Sequence, residues 1–140
     1  MVFDLEKSKQ ILADGGYTVV LVCGDRTLTS RERGVAPLLD WIGCGADFKG
    51  YSASDKVVGK AAAFLYVLLG IKRLYAQVIS APALEVLESE NIEVSFGQAV
   101  ENIINRTGTG ICPMESCVLG IDNPLDALLE IKKTRERLMK

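Results

Sequence analysis

The run Tyr17-Thr-Val-Val-Leu-Val-Cys23 carries apolar side chains on both faces of an extended segment, which a strand wetted on one side would not show. It belongs inside a sheet covered on both sides. Gly24-Asp25 is a tight-turn dipeptide, so 26–30 returns beside this strand as a hairpin. A hairpin leading into strand–helix–strand crossovers predicts a mixed sheet with helices on both faces, hence the α/β class and a three-layer α/β/α sandwich. Residues 1–140 read as one domain, a length that buries about 70% of its unfolded surface without disulfides or metal.

Helix and strand signals fill in the order. A helix over 4–13 ends at Gly15-Gly16, and a short helix over 37–42 has Pro37 in its first turn. A glycine-rich loop over 44–51 follows. Ser52 or Ser54 is expected to cap a helix over 55–69 that is apolar nearly all round, as a central packed helix would be, and Gly70 stops it. A strand over 73–80, a helix over 82–89, a strand over 92–96 and a helical turn over 98–104 come next. The pattern closes with a short helix over 113–119 and a last helix from Pro124 to about 138, capped by Asn123.

The chain has no histidine, which removes Ser-His-Asp and Cys-His catalysis and leaves carboxylate or lysine as a base. A net charge of −2 without a basic stripe argues against nucleic acid as the main partner. The longest apolar run, 57–69, is broken by Gly59 and Lys60 and is too short to span a membrane. No basic, apolar leader opens the chain, so a cytoplasmic location is expected. There the four cysteines (Cys23, Cys44, Cys112 and Cys117) would be reduced thiols. None falls in a CxxC pair, so neither a metal nor a cofactor is implied.

Three stretches could carry chemistry. Gly108-Thr-Gly-Ile-Cys-Pro-Met-Glu115 runs a glycine loop into a helix start. There Cys112 would be the N-cap, with Gly108 and Gly110 forming a backbone nest for an anion. The alternative is that Glu115 reaches back to cap the helix and Cys112 is a small buried apolar residue. In Asp55-Lys-Val-Val-Gly-Lys60, Lys56 and Lys60 would share a helix face and hold an anion beside Asp55, or snorkel at a core edge. Gly59, unfavourable inside a helix, asks for space there, for close packing or for a ligand. After the hairpin, Arg31 and Arg33 alternate, and Arg33 would face a ligand if it is not part of a solvated rim.

These motifs, with Ser30-Arg-Glu-Arg-Gly-Val-Ala-Pro-Leu-Leu39, resemble an uncharacterised prokaryotic family, the DUF1893 group of unknown function assigned to the cytidine-deaminase-like fold. The resemblance implies a sheet in the order 2-1-3-4. It also sets the helix from Asp55 where deaminases hold their first zinc motif. The zinc-binding pattern is absent: Pro82 is kept, but Ala83 and Val86 stand where thiols are needed, so deamination is rejected. The expected function is binding of a small anionic metabolite, a nucleotide-like one included, between the Asp55–Lys60 and Gly108–Glu115 stretches. Two alternatives stand beside it. One is a non-zinc enzyme using Cys112, Asp55 or Glu115; the other is a structural or oligomerisation domain without ligand. A homodimer is compatible with the composition.

Overall fold

The computed structural model describes residues 2–105 and 107–139. Helix α1 (Val2–Gly15) leads into the hairpin of β1 (Val19–Cys23) and β2 (Arg26–Ser30), then α2 (Ala36–Gly43) and β3 (Ser52–Val58). Next come α3 (Lys60–Leu69), β4 (Arg73–Ser80), α4 (Ala81–Ser89), β5 (Glu93–Val100), α5 (Pro113–Ser116) and α6 (Pro124–Met139). The sheet order is β2-β1-β3-β4-β5, which is the expected 2-1-3-4 with an unforeseen strand, β3, inserted between β1 and β4. β1 pairs antiparallel with β2 and β3, whereas β3, β4 and β5 run parallel.

The doubly apolar first strand has two buried faces. Val20 and Val22 meet Leu12 of α1 on one side. Val19 and Leu21 join Ala53, Leu74 and Ala76 of the sheet and residues of α2, α3, α4 and α6 on the other. Crossovers β3-α3-β4 and β4-α4-β5 are of one hand, so α3 and α4 lie side by side on the same face. α3 is central there, packed against α2, α4 and α6, and Gly70 closes it in the left-handed conformation. A hydrogen bond of 2.7 Å between the Ser8 and Ser54 hydroxyls ties α1 to β3 from the other side.

Two expectations are corrected. The helix predicted over 55–69 begins only at Lys60; residues 52–58 form β3, inserted between β1 and β4. Asp55 and Lys56 have no strong strand signal of their own, but Asp55 is paired with Val19 and Ala76 and the Lys56 N–H donates to the Thr18 carbonyl, and this pairing overrides local propensity. Of the helical turn predicted over 98–104, residues 98–100 are instead the end of β5, drawn out to Val100 by its pairing with Ser80, and 101–104 leave the strand without forming a helix. The short helix over 113–119 stops at Ser116 and continues as single turns.

Candidate functional site

Because β3, β4 and β5 are parallel, their C-terminal ends share one edge of the sheet, and α3 and α4 begin there. Such an edge is where open α/β sheets usually bind ligands. Ser80 caps α4, accepting from the Ala83 N–H at 3.2 Å. α3 has no cap of its own. Gly59 precedes it in extended backbone and offers no side chain. The free N–H groups of Lys60 and Ala61 donate instead to Glu115, at 2.6 and 3.1 Å, across more than fifty residues of sequence.

Glu115 therefore sits where a ligand anion would be expected, at the positive end of the central helix. Its carboxyl group is buried, and burial raises its pKa, opposed by the two backbone hydrogen bonds and by the charge of Lys60. The need for Gly59 follows directly. A Cβ at this position would fall onto the Glu115 carboxyl group. The capping role foreseen for Glu115 is real, but the helix it caps is α3 rather than its own.

Lys60 leaves this junction in the other direction. Its ammonium donates to the Leu119 carbonyl at 2.8 Å and lies 5.7 Å from the centre of the Phe64 ring. Only 9% of the residue is exposed, and it forms no ion pair within 4 Å among the described residues. It lines a cavity of about 180 Å³ between α3, α4 and the segment before α6, shared with Phe64, Pro82, Glu85, Glu90 and Asp122. Lys60 thus shares this cavity with three exposed acidic residues.

The shared cavity expected for Lys56, Lys60 and the Cys112 loop is not formed. Lys56 lies on β3 and is exposed, so the two lysines do not share a helix face. Gly108 and Gly110 are exposed, and the loop they shape closes on itself. The Asn105 side chain accepts from the Thr109 N–H and the Thr107 hydroxyl, and the Asn105 N–H reaches the Gly110 carbonyl. Its amides face its own asparagine rather than an open nest. Cys112 is half-buried at the start of α5 with its N–H on the Ile103 carbonyl. Arg33 is exposed, and Arg31 reaches the Gly15 carbonyl over the Tyr17 ring.

Asp55 is elsewhere again. The Tyr66 hydroxyl donates to its carboxyl group at 2.5 Å, and burial under α3 raises the pKa from 3.8 to about 7. Tyr66 is six residues beyond Lys60, about 9 Å along the helix axis, so Asp55 and Glu115 engage separate parts of α3. Of the three groups named as candidate catalytic residues, Asp55 lies apart, whereas Cys112 and Glu115 share the start of α5, the Glu115 N–H donating to the Cys112 carbonyl at 2.9 Å. Sequence reasoning missed Glu85, Glu90 and Asp122, which look like ordinary solvated charges. It also missed Tyr66, although a tyrosine deep in an apolar helix signals a hidden partner for its hydroxyl.

The family model for the domain of unknown function DUF1893 (TM1506) matches residues 7–134. The chain belongs to the DUF1893 family. A crystal structure of a DUF1893 family protein, TM1506 from Thermotoga maritima, shares its fold with a TM-score of 0.86, covering 98% of this chain and 91% of that one at 24% identity. No curated protein matches the chain. The span matched to DUF1893 contains the α3 start, Glu115 and every residue of the Lys60 cavity. Among the described residues no group of three or more Cys, Asp or Glu side chains is placed to hold a metal ion, and no helix is long and apolar enough to cross a membrane.

Proposed function

We propose that this DUF1893 protein is a binding domain for a small zwitterionic metabolite, held in the cavity over Lys60. The carrying observation is Lys60, a mostly buried residue that lines the cavity and whose ammonium donates to the Leu119 carbonyl. A mostly buried lysine without a carboxylate partner favours an anionic group close by. The rim of Glu85, Glu90 and Asp122 favours a cationic group on the same ligand and disfavours a polyanion such as a nucleotide. This narrows the anionic metabolite expected from the sequence to one that also carries an amine. A cavity of 180 Å³ is below the roughly 300–1,000 Å³ of drug-sized sites, which suits a ligand of few heavy atoms.

Kinship with the cytidine-deaminase-like fold belongs to the same proposal. It is supported by the sheet order and by Pro82 and Val86 lining the cavity where a thiolate-bearing helix start would stand. Binding without turnover is favoured over catalysis because Asp55 engages Tyr66, away from Glu115, and the Glu115 carboxyl group is taken up in capping α3. Thermal shift against α-amino acids, the amines lacking their carboxylate and the acids lacking their amine tests the reading. A matching amino acid at a hundredfold excess over Kd should add about 2.7 kcal/mol of stability, with either half giving less. Lys60→Met should abolish the shift. Shifts that persist in Lys60→Met, or none with any amino acid, would overturn the proposal.

A further inference from the structure

The two edges of the sheet are built differently. β2 is five residues long, begins with Arg26 and is followed by Arg31. Short length and flanking charge are the usual protection of an edge strand. β5 has eight residues, about 26 Å of strand, and from Val94 to Val100 it has neither a charge nor a proline. Residues 95–99 are all exposed, with Phe96 at 44%. Among the described residues no backbone or side-chain hydrogen bond joins 94–100 to anything but β4. A long, neutral, partly apolar edge with one row of backbone groups unpaired is a template for another strand.

We propose that β5 is a homodimer interface, pairing antiparallel with β5 of a second copy to make one continuous ten-stranded sheet. Self-pairing is favoured because the edge is complementary to itself. A twofold axis normal to the sheet keeps each face on its own side, so the axis must pass through a residue rather than between two. Centred on Phe96, it sets Glu93 opposite Ala99, Val94 opposite Gln98 and Ser95 opposite Gly97, with the two Phe96 rings adjacent. No like charges meet. Centred on Gly97 it would oppose Glu93 to Glu101, and centred on Ser95 it would pair only five residues.

Sedimentation equilibrium of the full chain at micromolar concentration should give twice the chain mass of 15.2 kDa. Phe96→Lys alone and Phe96→Glu alone should each halve that mass, because identical charges then meet on the axis. An equimolar mixture of the two should recover the dimer, which a merely misfolded variant could not do. Hydrogen exchange at amides 94–100 should slow as the wild-type concentration rises. Leu129→Lys, on the exposed side of α6, should leave the dimer intact. A monomeric wild type, a dimeric Phe96→Lys, a mixture that stays monomeric, or loss of the dimer in Leu129→Lys would each overturn the proposal.

Discussion

Glu115 shows how one side chain can settle the use of a helix terminus. Its two backbone bonds satisfy donors that would otherwise be buried and unpaired, each worth about 1–3 kcal/mol when orphaned. Glu115→Ala should therefore lose about 2–4 kcal/mol in urea unfolding. Added acetate should recover part of that loss in the variant and little in the wild type, since the vacated helix end is an anion site. Asp55 makes a different prediction. Its folded pKa, about 7, lies above the ordinary 3.8, so the folded state takes up a proton that the unfolded state releases. The stability this contributes is complete below the ordinary value and is lost as pH rises through 7. The wild-type melting temperature should fall between pH 5 and 8. In Asp55→Asn that fall should flatten, leaving the variant more stable at pH 8, on the order of 5 °C higher. Glu115, also raised by burial, has the same sign and leaves a residual slope. A variant slope equal to the wild type's would show that Asp55 does not titrate there.

At the scale of elements, α1 is held differently from the other helices. Among the described residues it covers its side of the sheet alone, through a small cluster around Leu12, Val20 and Val22 and through the buried Ser8–Ser54 hydroxyl pair. Removing the Ser8 hydroxyl strands that of Ser54, whereas Ser8 without Ser54 still donates to the Leu5 carbonyl at 2.7 Å. Ser8→Ala should cost about 1–3 kcal/mol in urea unfolding, and adding Ser54→Ala should cost much less than the sum of the singles. Additive losses would mean the pair is not coupled. The same elements show what the sequence could disclose. β1 was legible because both of its faces are apolar, and α6 because Asn123, accepting from the Leu125 and Asp126 N–H groups, is a local cap. β3 was not legible. Ser52, Ser54 and Asp55 read as a helix start, since their partners Ser8 and Tyr66 and the neighbouring strands are distant in the chain. The end of β5 was hidden for the same reason.

For the molecule as a whole, the covered mixed sheet followed from periodicity, but the candidate site did not. Lys60 and Glu115 were both singled out, yet their relation depends on the crossover that brings α5 onto α3. Spacing alone could not distinguish a carboxylate that caps its own helix from one that caps another. The charges around the cavity were still less visible, because Glu85, Glu90 and Asp122 acquire their meaning only from the lysine whose cavity they share. The long reach of Glu115 also bears on how the chain assembles. During synthesis from the N-terminus, α3 emerges with its leading amides unanswered and stays so until Glu115 has cleared the ribosome. A nascent chain stalled before residue 115 is exposed should hold its central helix loosely.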